Sequence, residues 1–169
     1  ADVIDAVKAD KMVLTDPYAD ASTGNLIISA AIPVKKDGKL YGVSLSNNLY
    51  TINEMTGAAT QVAMLMPSVV QANLGYGIDF NPVADFNGGA SLRLVSSAGS
   101  NFAVNAGTGA VGNTASNIGS GYTAVAYSNS MTMPTMAPAS TALYYINTST
   151  DMLMMAPGAF NAPTISAVG

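Results

Sequence analysis

The chain repeats itself at an interval of about fifty residues, which is the size of a small unit of several strands. The segment Leu40–Ser44 recurs as Leu92–Ser96 and again as Leu143–Asn147, at offsets of 52 and 51 residues. A second pair of segments, Tyr50–Ala59 and Phe102–Val111, keeps the offset of 52, and both contain Asn-x-x-Thr-Gly-Ala after a short apolar run. Because two different motifs recur at the same offset, the sequence indicates that the chain is built from repeated units.

These repeats predict a mainly β fold. Short runs with alternating apolar residues are separated by Asn, Gly and Thr, which are typical of turns between strands. A period near 50 residues is typical of propeller blades, whereas the strands of a sandwich need no such register. Since propellers usually have about four or more blades, the two and a half or so expected here predict an incomplete ring. Three alternatives follow. The ring is longer in a parent protein, a partner completes it, or it never forms.

Charged residues are concentrated near the N-terminus. Eleven of the sixteen charged side chains lie within residues 1–39, and five lie in residues 40–169. This shift predicts an N-terminal segment followed by a β-rich repeat domain with a boundary between residues 39 and 40. Within the first segment, the spacing of apolar residues in Asp2–Lys11 predicts a short amphipathic helix. The apolar run Leu26–Val34 predicts a buried strand. Lys35–Gly38 then predicts a hairpin turn, because Asp-Gly tolerates the positive φ that such turns need.

The low charge content limits the possible partners. Asp, Glu, Lys and Arg make up 9% of the residues, compared with about 25% in typical domains. A surface so poor in charge provides little electrostatic repulsion between molecules, so we expect self-association.

Nucleic acid and membrane are not expected as partners. The net charge of -4 with six basic residues argues against nucleic acid, because phosphate binding needs clustered Lys and Arg. We expect no membrane span, since no apolar run of about 18 residues occurs.

The absence of His and Cys excludes the catalytic arrangements that depend on imidazole or thiolate. Three acids of the repeat region, Asp79, Asp85 and Asp151, leave glycoside hydrolysis by paired carboxylates as the remaining catalytic alternative. We expect the chain not to be an enzyme.

We expect no cofactor, and calcium is the alternative that the sequence leaves open. Asp79, Asn81 and Asp85 offer oxygen ligands of the kind that calcium prefers, although the spacing lacks the closing Glu of a calcium loop. The alternative is a turn in which these side chains accept hydrogen bonds from nearby backbone amides. The methionines of Met131–Met136 and Met152–Met155 are expected to fill a core or an interface rather than to bind cuprous ions.

Residues 40–169 resemble a bacterial family catalogued as domain of unknown function 4394. The resemblance rests on Gly77–Asp85, Leu92–Ser96, Asn101–Asn105, Thr123–Asn129 and Leu143–Ile146. It implies a secreted protein with a propeller-like β fold, and it carries over no catalytic residues. The present chain differs from that pattern by extra residues over Phe86–Ser91.

Residues 15–43 resemble part of a different family, the extracellular Cache sensor domains of bacterial chemoreceptors. The motif residues are Thr15–Gly24 and Ile32–Val34, continuing to Gly42 and Val43. In amine-recognising members the Tyr and Asp of this motif contact the ligand, so the resemblance implies Tyr18 and Asp20 as a binding pair. The alternative is that Asp20 caps a turn while Tyr18 packs on the following strand.

Two functions follow as hypotheses. The first is a non-catalytic extracellular module with a structural or adhesive role, such as a self-assembling subunit of a filament or surface layer. The second is an extracellular sensor that binds a small amine or amino acid. The two resemblances together leave open whether the chain is a natural recombinant, an engineered fusion or a composite sequence.

Overall fold

The computed structural model describes residues 39–88, 91–130 and 135–168, and the backbone of five two-residue strands nearer the N-terminus. The predicted helix over Asp2–Lys11 lies outside the described residues. The strands, in chain order, are β1 (Val13–Leu14), β2 (Tyr18–Ala19), β3 (Leu26–Ile27), β4 (Ala30–Ala31), β5 (Lys35–Lys36), β6 (Lys39–Val43), β7 (Asn48–Ile52), β8 (Ala59–Met64), β9 (Tyr76–Phe80), β10 (Leu92–Ser96), β11 (Asn101–Val104), β12 (Val111–Gly112), β13 (Tyr122–Tyr127), β14 (Leu143–Asn147), β15 (Met152–Ala156) and β16 (Ser166–Ala167).

The four strands nearest the N-terminus form two short antiparallel pairs. β1 pairs with β4, and β2 pairs with β3. Tyr18 lies opposite Ile27 in the second pair. The predicted strand Leu26–Val34 therefore contains two separate two-residue strands among the described residues.

The remaining strands form three four-stranded antiparallel sheets, which we call the first sheet (β5–β8), the second sheet (β9–β12) and the third sheet (β13–β16). Hydrogen-bonded neighbours in each sheet follow one another along the chain. Lys36 lies opposite Lys39 at the start of the first sheet, so β5 pairs with β6 in the antiparallel sense. The predicted turn residues Asp37 and Gly38 lie outside the described residues. The mainly β class is confirmed, and none of the three sheets closes on itself within the described residues.

The sequence repeats occupy equivalent places in the three sheets. The motif of Leu40–Ser44, Leu92–Ser96 and Leu143–Asn147 contributes the second strand of each sheet, β6, β10 and β14. The turn after each of these strands contains one residue with a left-handed backbone, and these residues lie 52 positions apart. They are Asn47, Gly99 and Asp151, with φ of 61°, 98° and 54°.

The turns after β7 and β11 share one hydrogen-bond pattern. Asn53 Oδ1 accepts two backbone N–H groups at 2.9 and 3.0 Å, and Asn105 Oδ1 accepts the equivalent two at 3.0 and 3.1 Å. The Thr hydroxyl of each turn accepts one further N–H at 3.3 Å. Gly57 and Gly109 then adopt φ of 72° and 75°, a conformation that glycine enters without steric cost.

Each sheet packs on the next through the same strand positions. Residues alternate between the two faces of a strand, and in the first sheet Tyr41 and Val43 point toward the second sheet, where the Tyr41 ring meets Phe80 edge to face at 5.1 Å. In the second sheet Val95 packs on Leu143 and its neighbours in the third sheet. We call this side of each sheet its forward face. Its equivalent members, taken from the strand registers, are Tyr41, Val43 and Leu49 in the first sheet, Arg93, Val95 and Asn101 in the second, and Tyr144, Ile146 and Leu153 in the third.

A short helix, α1 (Pro82–Phe86), connects β9 to β10, where the sequence predicted only a turn. Its sequence carries two start signals, an Asn cap at Asn81 and a Pro in the first turn. In the described part of the chain, no helix is both long and apolar enough to traverse a membrane.

Candidate functional site

Arg93 is the only basic residue of the chain after Lys39, and it lies inside the protein. It occupies β10, in which every residue is buried, and it is 5% exposed. Burying a charged side chain is costly unless it gains hydrogen bonds or an opposite charge. The environment of Arg93 is therefore the most unusual feature of the described residues.

The guanidinium of Arg93 joins three parts of the chain. Nε donates to the hydroxyl of Tyr127 in β13 at 3.3 Å. Nη1 donates to the backbone oxygen and to Oδ1 of Asn101 in β11, at 3.2 and 3.1 Å. Nη2 donates to Oδ1 of Asn161 at 3.0 Å. All four acceptors are neutral, so the hydrogen bonds satisfy the donors without supplying a counter-charge.

Two asparagines fix the loop that carries Asn161. Asn101 is fully buried, and its Nδ2 donates to the backbone oxygen of Phe160 at 2.9 Å. Asn113 Nδ2 donates to the backbone oxygens of Asn101 and Asn161, at 2.7 and 2.9 Å. The Phe160 ring also meets the Tyr127 ring edge to face at 5.1 Å. The loop is thus held by hydrogen bonds from the side chains of Asn101 and Asn113, and by a ring contact with Tyr127 of the third sheet.

An open cleft of about 460 Å³ lies beside this group. Its polar lining consists of Asn81, Arg93 and Asn161, and its apolar lining consists of Phe160 with Ala84, Ala103, Ala159 and Ala162. A cleft with apolar walls and a few convergent polar groups is the usual form of a small-molecule site.

Asp79 is the nearest acid along the sheet, since it lies directly opposite Arg93 in the pairing of β9 with β10. Its carboxylate faces backbone donors, because Oδ2 accepts the N–H of Tyr127 at 2.6 Å and Oδ1 accepts the N–H of Phe80 at 2.8 Å. Burial raises the pKa of Asp79 to about 6, and the two N–H groups offset only part of that effect. Asp79 therefore titrates in a range where an ordinary Asp is already ionised.

Of the three residues proposed for calcium, Asn81 has the hydrogen bonds expected for the Asx-turn alternative. Asp79 binds backbone amides, as described above, and Asn81 Oδ1 accepts the N–H groups of Val83 and Ala84 at 3.0 and 3.1 Å. Asp85 Oδ1 accepts the hydroxyl of Ser91 at 2.6 Å. Within the described residues, no group of three or more acidic, His or Cys side chains is placed to hold a metal. A calcium site at these positions stays a prediction.

The other predicted residues are Tyr18, Asp20 and Asp151. Tyr18 belongs to β2, and Asp20 lies outside the described residues. Asp151 lies exposed in the turn between β14 and β15.

The roles of Arg93, Asn101 and Asn161 were not predicted from the sequence. One signal was present for Arg93: it is a lone basic residue inside a strand motif, at the position where the other two units carry Tyr41 and Tyr144. The two asparagines carry no comparable signal, since Asn is frequent throughout the chain.

Comparison with known proteins gives one family. Residues 21–169 match the model of a family described as domain of unknown function (DUF4394). The match includes every residue of the cleft, and it extends across the boundary predicted after residue 39. No solved structure matches the chain.

Proposed function

The chain belongs to the family described as domain of unknown function (DUF4394), and from this premise we propose that it is a non-catalytic structural or adhesive module of the cell exterior that self-associates. The observation that supports this proposal is the exposed, apolar forward face of the third sheet. The exterior location rests on the family resemblance. The absence of catalysis rests on the lack of His and Cys in the sequence.

The forward face of the third sheet is apolar and exposed. Ile146 and Leu153 are 48% and 46% exposed, and they lie side by side in the pairing of β14 with β15. With Tyr144 and the alanines Ala124 and Ala126 they line a shallow groove of about 120 Å³. None of these side chains is charged. Contiguous exposed apolar surface of this kind marks interaction sites.

The equivalent positions of the other two sheets show what such a face packs against. Val43 in the first sheet and Val95 in the second are equivalent to Ile146, and both pack toward the sheet that follows. A further four-stranded sheet of the same kind is therefore the occupant that matches this face. We propose that a second copy of the chain supplies it.

We further propose that the sheets are consecutive blades of an open propeller. Four-stranded blades arranged around a common axis are typical of that fold, and the first strands of the second and third sheets, β9 and β13, lie side by side. Gly77 permits this approach, since a Cβ there would lie 2.6 Å from the Cα of Ala124.

Oligomeric state tests the proposal. Light scattering and electron microscopy of the purified chain should show dimers or larger assemblies, and Ile146→Glu with Leu153→Glu should convert them to monomers. Met55→Glu is the matched control, because Met55 is 74% exposed but lies in a turn of the first sheet. A chain that is monomeric at every concentration, or assemblies that persist in the double variant, would overturn the proposal.

The sensor function remains a second hypothesis, and it rests on Tyr18 and Asp20 alone. Calorimetric titration with amines and amino acids tests it. Binding that is lost on Tyr18→Phe would support a sensor, and the absence of heat with every ligand would remove it.

A further inference from the structure

We propose that the cleft beside Arg93 binds a small organic carboxylate, such as an acidic sugar, through the guanidinium. This inference goes beyond self-association, because the cleft lies beside Arg93 and Phe160 and not on the forward face of the third sheet. It rests on the charge of Arg93, on the number of N–H groups that its guanidinium offers, and on the apolar lining of the cleft.

The charge of Arg93 is not neutralised by its hydrogen bonds. The acceptors are one hydroxyl, one backbone oxygen and two amide oxygens. Asp79, which lies opposite on β9, directs its carboxylate oxygens to the N–H groups of Phe80 and Tyr127. An anion in the cleft would supply the counter-charge that these contacts lack.

The guanidinium also has more N–H groups than hydrogen bonds to described residues. It carries five N–H groups, and it makes four hydrogen bonds to described residues. Nη2 makes one of these, to Asn161, which lines the cleft. A ligand oxygen that reaches Nη2 from the cleft would therefore find an N–H without a partner among the described residues.

The remaining lining selects the kind of anion. One oxygen of a carboxylate can accept the remaining N–H, and a hydrogen bond between two charged groups is stronger than one between neutral groups. Phe160 and Ala103 offer apolar surface to a carbon skeleton, and Asn81 and Asn161 add polar lining suited to the hydroxyl groups of a ligand. An organic acid with hydroxyl groups satisfies all three features.

Calorimetric titration of the intact chain with D-glucuronate, and with D-glucose as the neutral counterpart, tests the proposal. Glucuronate should bind saturably, and glucose should bind about tenfold more weakly or less, since hydrogen bonds to a charged partner are the stronger ones. Failure of glucuronate to bind, or equal binding of the two sugars, would overturn the proposal.

Asn161→Asp provides the decisive variant, because it places a carboxylate against Nη2 without changing the side-chain volume. The new carboxylate should compete with the ligand and reduce glucuronate affinity by about tenfold or more, while circular dichroism shows that the fold is kept. Asn73→Asp adds the same charge at an exposed position away from the cleft and should leave the affinity unchanged. Equal affinity in the wild-type chain and Asn161→Asp would contradict a site at Arg93.

Discussion

The carboxylate of Asp79 accepts the backbone N–H of Tyr127 at 2.6 Å, which connects the second sheet to the third. The connection places an acid in a half-buried position, and desolvation of its carboxyl raises its pKa to about 6 from an ordinary value of 3.8. The folded chain therefore holds this proton more tightly than the unfolded chain does. Its contribution to the free energy of unfolding is greatest below pH 4, falls as the pH rises from about 4 to 6, and is constant above that range.

Asp79→Asn should remove this part of the pH dependence. Urea unfolding at a series of pH values between 4 and 7 measures it, and the fall in stability between pH 4 and 6 should be smaller in the variant than in the wild-type chain. Asp151→Asn is the control, because Asp151 lies in an exposed turn and Asn accepts its left-handed backbone. Identical pH profiles for Asp79→Asn and the wild-type chain would show that Asp79 does not titrate in this window.

Tyr145→Phe should raise the free energy of unfolding. The Tyr145 side chain is 1% exposed, and its hydroxyl has no hydrogen-bond partner among the described residues. Removal of an unsatisfied buried hydroxyl relieves a penalty of about 1 kcal/mol or more. Tyr127→Phe is the matched control, since the Tyr127 hydroxyl accepts from Arg93, and its loss should cost about 1 kcal/mol. Chemical unfolding curves that show a loss for Tyr145→Phe would contradict this prediction.

Gly109→Ala should destabilise the chain more than Gly57→Ala. Both glycines have positive φ in equivalent turns, so each substitution incurs a backbone cost of about 1 kcal/mol. A Cβ at Gly57 meets open space, whereas a Cβ at Gly109 would overlap the backbone oxygen of Met64. We expect the second substitution to cost at least about 2 kcal/mol more. Thermal and urea unfolding of the two variants provide the comparison, and equal losses would mean that the Met64 segment moves aside.

The repeat interval identified the equivalent strands of the three sheets because it depends on local pattern. The Asn-x-x-Thr-Gly turns of the first two units were also visible in the sequence, since their hydrogen bonds join residues a few positions apart. In the third unit that motif is absent, and Phe160 and Asn161 lie in the loop after β15. The sequence therefore predicted the shared parts of the units better than the part that differs.

The contacts of Arg93 could not be predicted in the same way. Its partners Tyr127 and Asn161 lie 34 and 68 residues away along the chain, so only the packing of the sheets brings them together. Alternation within β10 assigns Arg93 to one face of the sheet, but it does not say which loop covers that face. The candidate cleft thus depends on tertiary structure, whereas the strands that form it were predictable from the repeats.

Equivalence of the forward faces has a consequence for the evolution of such chains. A duplicated unit of about fifty residues would meet its predecessor through positions that already pack, so it would need no newly invented contact surface. Genes of this kind can lengthen by whole units while the existing junctions are kept. Relatives of different length should therefore differ by multiples of the repeat interval rather than by arbitrary insertions.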